Sequence, residues 1–299
     1  MDRRRILLVD AFSESPLAGN AAGVVPEAAG LSTGQMRAIA AELAVSETAF
    51  ILPSETADRQ IRYFTPSTEV DLCGHATIAS HAHLLEDGVL AAGTHTLETP
   101  VGVIDVEVTP DEMVWMTQDT PRVETVTVDS DRLAAALDLP VAALDQVELP
   151  TAVASTGVSF LVVPVTFLEP LGGADPDDDA VAAIADEYDA AGIYAFTFDT
   201  IDAESTLHAR CFAPGLGIAE DPVTGTASGA AAAYLRTVDA FDSLPEQLRF
   251  EQGHFIDRPG HVAVRAHETI QVGGRATTSV DGELRVPPDT DDEIITPEG

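Results

Sequence analysis

The strongest constraint on this chain is a pattern that occurs twice. Arg62-Tyr63-Phe64-Thr65-Pro66 is followed by Asp71-Leu72-Cys73-Gly74-His75-Ala76 and an uninterrupted run to Glu86. Arg210-Cys211-Phe212-Ala213-Pro214 is followed by Glu220-Asp221-Pro222-Val223-Thr224-Gly225-Thr226-Ala227 and an Ala-rich run to Leu235. Each copy reads as a strand, an Arg-x-Phe-x-Pro turn, acid, glycine, and then a helix of small residues that must be closely packed. The second copy has the longer connection. The two lie about half a chain apart, the mark of a duplicated domain rather than of a short-period solenoid. A helix start presents unpaired N–H groups and a partial positive charge, so each copy suits a bound carboxylate.

The 299 residues allow two domains of ordinary size, and 45% hydrophobic residues allow a core in each. We place an N-terminal domain over residues 1–120, joined by a last strand from 282–299, and a C-terminal domain over 121–281. Ile6 to Val9 is too short for a signal-peptide core, and no apolar run reaches membrane-spanning length. Two cysteines, Cys73 and Cys211, make neither a secreted disulfide scaffold nor a zinc-site spacing. The expectation is a cytoplasmic protein with no membrane partner, no metal and no cofactor.

The formal charge is −35: fifty acidic residues face fifteen basic ones, every one of them arginine. No basic patch exists to neutralise phosphates, which argues against nucleic acid. The acid is spread along the chain rather than confined to one tail, which favours adaptation to a salt-rich cytoplasm over binding of basic partners. Screening there is nearly complete, with a Debye length of about 3 Å at 1 M. The expectation is a fold that loosens at low salt. A thermal midpoint unchanged between low and multimolar KCl would contradict it.

Read in order, Ile6 to Val9, Ala21 to Val25, Ala49 to Leu52 and Ile61 to Thr65 are strands. Met36, Ile39, Ala40 and Leu43 recur at helical spacing behind a Ser32 or Thr33 cap. Thr96 to Val108 and Met113 to Gln118 read as two strands closing the first half. In the second half Asp129 caps a helix to Leu137, and Asp175 to Asp179 precede a helix to Tyr188. Val153 to Gly157, Phe160 to Val165, Gly192 to Phe198 and Leu207 to Phe212 read as strands. After the second small-residue helix come Gln247 to Gln252, His261 to Ala266, Glu268 to Gly273, Ala276 to Val280 and a short Gly282 to Val286. The acidic tail from Pro287 is expected to fray. The fold class is therefore α+β, with each half a mixed sheet plus a central helix.

Four side chains carry chemical interest. Glu47, in the polar break Ser46-Glu47-Thr48 before an apolar strand, would be partly desolvated and raised toward a useful proton-transfer range. A loop carboxylate facing water is the competing reading. His75 at a helix start either exchanges protons or is structural. Asp221 before Pro222 either binds substrate or caps the helix. Cys73 beside Gly74 is either a thiol activated by the helix N-terminus or a buried apolar residue. Their place in one duplicated frame raises all four together, because two such helix starts brought face to face would converge on one cleft.

Val9-Asp10-Ala11-Phe12 with Pro16 and Gly19-Asn20, Ser46-Glu47-Thr48, Phe64-Thr65-Pro66, Asp71-x-Cys73-Gly74-His75-Ala76-Thr77, Phe212-Ala213-Pro214-Gly215 and Glu220-Asp221-Pro222-x-Thr224-Gly225-Thr226-Ala227 together resemble the PhzF family of phenazine-biosynthesis isomerases. That family shares its fold with diaminopimelate epimerase and proline racemase. The resemblance implies two pseudo-symmetric domains, each a mixed sheet curled around a central helix, and commonly a homodimer. It implies a cofactor-independent isomerase acting on a small carboxylate-bearing substrate. Glu47 would be the acid/base, His75 and Asp221 would hold and polarise the substrate, and Gly74, Gly225 and Thr226 would offer N–H groups to its carboxylate. Asn20 falls where the family has a Gly-Asn near the site. Cys73 stands where the epimerase relatives have a catalytic thiol, but Thr224 takes the second thiol's place. An epimerase or racemase using Cys73 with Glu47 therefore stays open, as does a binding protein that has lost catalysis.

Overall fold

A computed structural model describes residues 2–288, and they divide into two compact units. The first comprises the residues up to Leu17, Ala21–Val114 and those from Arg275 on; the second comprises Ala18–Asn20 and Trp115–Gly274. The acidic tail, 289–299, lies outside the described residues, and with it the expectation of fraying.

The first unit opens with β1 (Asp2–Ala11), followed by β2 (Asn20–Val25), α1 (Thr33–Leu43), β3 (Thr48–Leu52), β4 (Arg59–Phe64), β5 (Glu69–Val70), α2 (Gly74–Glu86), β6 (Gly93–Thr99) and β7 (Gly102–Val108). Ser32 caps α1 through a capping box with Gln35, which satisfies two amides that the helix itself cannot. Strands β2 and β3 are parallel across α1, β3 and β4 antiparallel, β4 and β5 antiparallel, β4 and β6 parallel across α2, and β6 and β7 antiparallel.

The second unit carries β8 (Val114–Thr117), β9 (Arg122–Thr125), α3 (Ser130–Leu137), α4 (Ala142–Asp145), β10 (Ala152–Ser155), β11 (Ser159–Pro164), α5 (Leu168–Gly173), α6 (Asp178–Glu187), β12 (Ile193–Thr197), β13 (Leu207–Ala213), β14 (Ile218–Asp221), α7 (Gly225–Thr237), β15 (Leu248–Gln252), β16 (Gly260–Arg265) and β17 (Gln271–Gly274). Its pairings repeat those of the first unit step for step. Strands β11 and β12 are parallel, β12 and β13 antiparallel, β13 and β14 antiparallel, β13 and β15 parallel across α7, and β15 and β16 antiparallel. The duplication read from two short motifs thus extends to the strand order of both units. The chain then returns to the first unit as β18 (Ala276–Val286), antiparallel to β1.

A helix buried on every side must be made of small or apolar residues, and α2 and α7 are. Ala76 to His81 are all buried in α2, and Ala227 to Leu235 are all buried in α7. Their polar members are tied locally. Thr77 and Ser80 return hydrogen bonds to the backbone one turn earlier, Tyr63 Oη meets Thr77 Oγ1 at 2.6 Å, and His81 Nδ1–H donates to Thr77 O at 2.9 Å. Burial outweighs that last bond and holds His81 down to about 4, so the middle of α2 is uncharged near neutrality. In the second unit Tyr194 Oη meets Ser228 Oγ at 3.2 Å, the same tyrosine-to-hydroxyl device.

Several boundaries differ from the expectation. Thr96 to Val108 is not one strand but the hairpin β6–β7, because Pro100-Val101 turns the chain and Gly102 takes φ +121°, where a side chain would be strained. Ala276 to Val280 and Gly282 to Val286 are one strand, since β1 supplies partners from Asp2 to Ala11 without a break in pairing across Gly282. Glu220 and Asp221, between the Pro214 turn and the helix, lie on a short strand, β14. The helices α4 and α5 and the strand β9 gave no signal, being short and, in α5, built on Leu168-Glu169-Pro170-Leu171-Gly172-Gly173.

Candidate functional site

Each copy of the repeat delivers its own group of polar side chains. In the first unit α1 ends at Ala44, in the left-handed region with φ 53°, and the chain bends through Ser46 before β3 starts at Thr48. Glu47 O accepts from Gly23 N at 3.0 Å, which fixes the backbone. Gly23 is needed there: a Cβ would sit 2.5 Å from Thr48 Oγ1. On the far side of the group Cys73, extended, precedes α2 and places no side chain over the helix's first amides. His75, second residue of α2, brings Nε2 to 3.4 Å from Glu47 Oε2 and to 3.4 Å from Ser46 Oγ. Its Nδ1 lies 3.4 Å from Cys73 Sγ. A Cβ built at Gly74 would meet nothing within 4 Å, so that backbone is open to approach.

Glu47 and His75 are 21% and 13% exposed at the side chain, and Cys73 is buried. These values decide against the water-facing reading of Glu47: its carboxylate is mostly covered and in contact with an imidazole. The separation is long for a hydrogen bond, as acid–base pairs often are before a ligand tightens them. A carboxylate, an imidazole and a thiol in mutual reach can pass a proton, and an open helix N-terminus can hold an anion beside them.

In the second unit Asp221 ends β14 and Gly225 begins α7 behind Thr224, which also places no side chain over the first amides. Asp221 Oδ1 accepts from Asn20 Nδ2 at 2.9 Å, and Oδ2 accepts from the Thr224 hydroxyl. The Asn20 amide also donates to Val223 O at 2.9 Å. Gln252 closes the arrangement. Its Nε2 donates to Asp221 O at 2.7 Å and to Thr224 Oγ1 at 3.1 Å, while Oε1 accepts from Thr224 N at 3.2 Å. Gln252 is held in turn by the turn at Gly253, φ +82°, where a Cβ would fall 2.2 Å from Arg258 O and 2.6 Å from Pro222 O. Thr226 is half-buried and offers its carbonyl to Thr156 Oγ1 at 3.2 Å. Cys211, register partner of Asp221 on β13, is no second thiol for chemistry, since burial and the neighbouring carboxylates push it far up.

The sequence-derived residues therefore fall into two groups. Glu47, Cys73, Gly74 and His75 assemble in the first unit; Asn20, Asp221, Gly225 and Thr226 assemble in the second. Ser46, Thr224 and Gln252 were not singled out as functional. Ser46 and Thr224 stand inside motifs that carry the resemblance, whereas Gln252, the last residue of Leu248-Arg249-Phe250-Glu251-Gln252, had no such signal.

Comparison with known proteins identifies the family. The sequence model of the PhzC-PhzF family, described as phenazine biosynthesis-like protein, matches residues 9–282. The chain is 36% identical over 289 residues to the Bacillus subtilis protein named uncharacterized isomerase YfhB, covering 94% of this chain and 96% of that one. It is 28% identical over 288 residues to trans-2,3-dihydro-3-hydroxyanthranilate isomerase of Pseudomonas chlororaphis, covering 91% and 96%. Among solved structures, the Bacillus anthracis phenazine biosynthesis protein of the PhzF family superposes with a TM-score of 0.89 at 33% identity, covering 96% of this chain and all of that one. A match this long, carried by relatives above 30% identity and by the repeated strand order, places the chain in the PhzC-PhzF family of phenazine biosynthesis-like proteins, as an isomerase.

Proposed function

We propose that this isomerase moves a proton within a small carboxylate-bearing metabolite and needs no cofactor to do so. Glu47 takes a proton from a carbon made acidic by a neighbouring carboxylate or enamine. The electron pair left behind delocalises into an enolate-like anion, and Glu47 returns the same proton to another carbon of the molecule. Nothing is oxidised or reduced. The observation that carries this reading is the mostly covered Glu47 carboxylate 3.4 Å from His75 Nε2 beside a helix start with no capping side chain. His75 steadies the carboxylate and polarises the substrate. Each helix start, at Gly74 in the first unit and at Gly225 in the second, presents amides that suit an anion, and preorganised N–H groups stabilise negative charge as it develops. Asp221, locked by Asn20, Thr224 and Gln252, offers acceptor oxygens to a substrate amine or hydroxyl. The relative from Pseudomonas chlororaphis is named for a small cyclic amino acid of this chemistry, which supports the substrate class and leaves the substrate itself open.

A second reading has a specific observation behind it. Cys73 Sγ lies 3.4 Å from His75 Nδ1 and Glu47 Oε2 lies 3.4 Å from Nε2, so a thiol and a carboxylate reach one site, and an epimerase would use them as two bases on opposite faces of a substrate carbon. Incubation of candidate substrates in D₂O separates these readings. The isomerase returns product with substoichiometric solvent deuterium, because one base carries one proton between two carbons. An epimerase places solvent deuterium at the inverted carbon in every turnover, and a binding protein exchanges none.

A further inference from the structure

We infer that Glu47, Cys73 and His75 form a chelating site for a thiophilic divalent cation such as Zn²⁺, and that the bound ion shuts off the reaction. The inhibition rests on the proton-transfer role given to Glu47 and His75; the binding does not. One ligand atom from each of the three residues lies within 4.8 Å of the other two. Cys73 Sγ and His75 Nε2 are 3.9 Å apart, and His75 Nε2 and Glu47 Oε2 are 3.4 Å apart. A tetrahedral zinc ion, with bonds of about 2.3 Å to sulfur and about 2.0–2.1 Å to nitrogen and oxygen, needs edges of about 3.5 and 3.3 Å between such atoms. The nitrogen-to-oxygen edge is already near that length, and the sulfur-to-nitrogen edge is about 0.4 Å too long. The sulfur sits nearer Nδ1 than Nε2 and within 4.8 Å of the carboxylate, so it must swing toward Glu47 for the trio to form one face of that tetrahedron, with the fourth corner left for water.

The donor chemistry selects the class of ion. One sulfur, one imidazole nitrogen and one carboxylate oxygen suit Zn²⁺ and Co²⁺, whereas Mg²⁺ and Ca²⁺ seek oxygen alone. That distinction matters in a chain with fifty acidic residues, whose surface binds any divalent ion weakly through oxygen. Covering of the three side chains removes competing water, and Cys73 and His75 are held by the start of α2, where Thr77 N–H and hydroxyl both return to Cys73 O. The step balances simply: the metal–sulfur bond forms as the S–H bond breaks, the thiol proton leaves to solvent, and no electron changes hands. With its oxygen bonded to the ion, Glu47 accepts no substrate proton.

Co²⁺ titration of the whole chain, in concentrated KCl with excess Mg²⁺ to occupy surface carboxylates, tests the site. The expected result is a saturable sulfur-to-cobalt charge-transfer absorption, displaced by Zn²⁺ and abolished in Cys73→Ser. Affinity falls by at least about tenfold in His75→Ala and in Glu47→Gln, the loss seen even for outer-sphere partners of a metal. Zn²⁺ is expected to arrest turnover, and a chelator to restore it. Absence of a Cys73-dependent band overturns the site, whatever Zn²⁺ does to activity; so does a band indifferent to both His75→Ala and Glu47→Gln. A Cys73-dependent band with full turnover in saturating Zn²⁺ upholds the site and overturns the proton-transfer role of Glu47 and His75.

Discussion

Glu47→Gln is expected to lower turnover by about 10²- to 10⁴-fold, the usual contribution of a positioned acid/base, with little change in KM. Glutamine keeps the size of the side chain and a polar contact to His75, so what is lost is the ability to take a proton. The thermal midpoint should stay near that of the wild type. Glu47 is partly exposed, and its contact with His75 is too long to be a strong hydrogen bond. An inactive variant that is also unfolded would therefore say nothing about catalysis, and the two measurements belong together. Cys73→Ser in the same assay divides the readings. A single-carboxylate isomerase loses little in that variant, whereas a two-base epimerase loses as much as in Glu47→Gln. Full turnover in Glu47→Gln removes the assignment.

How much of this was legible in the sequence depends on where each signal lies. The helices α2 and α7 were legible because a run of small residues with no breaker has few other solutions. The capped α1, α3 and α6 were legible because Ser32, Asp129 and Asp177 accept from amides three residues on, a purely local event. The Arg-x-Phe-x-Pro repeat was visible but not its cause. In both units the arginine stacks over the phenylalanine two residues on, at 5.2 Å for Arg62 over Phe64 and 4.9 Å for Arg210 over Phe212. It also forks onto a glutamate of the next strand, Glu69 or Glu220. These glutamates each stand four residues before the residue that caps the following helix, Cys73 or Thr224. Val70, not Asp71, is therefore the counterpart of Asp221, and the repeat is chemically asymmetric: a carboxylate group anchors the second copy where the first has a thiol and an imidazole. Gln252 was hidden for a different reason. Its partners Asp221 and Thr224 are about 30 residues away in sequence, and only the parallel pairing of β13 with β15 brings them together.

The same asymmetry sets the energetics of the two arginines, and a pair of substitutions exposes it. Arg210→Ala is expected to cost about 3–5 kcal/mol of folding stability, and Arg62→Ala about 1 kcal/mol or less. Arg210 and Glu220 are 7% and 12% exposed, against 24% and 32% for Arg62 and Glu69. Arg210 also donates through Nη1 to Leu171 O at 3.1 Å and Ala174 O at 2.8 Å, tying the end of α5 to β13, and its guanidinium lies 5.6 Å from the Phe255 ring as well. Removing it leaves the Glu220 carboxylate covered without its cation, takes the arginine donor from Ala174 O, and leaves Leu171 O only the 3.4 Å bond from Ala174 N. Arg62 adds only Thr33 Oγ1 at 3.0 Å, and water can replace what it gives up. Urea melts at one fixed KCl concentration read the difference as a shift in midpoint at constant slope. Arg210→Met combined with Glu220→Leu should recover most of the loss, because apolar packing substitutes for a buried pair once neither charge is left alone. Equal losses for Arg62→Ala and Arg210→Ala, or a double variant no better than Arg210→Ala, would mean that burial of the fork does not govern its contribution. Glu220 adjoins Asp221 on β14, so Arg210→Ala should also weaken substrate binding before the chain unfolds, whereas Arg62→Ala, whose partner adjoins Val70, should leave binding intact.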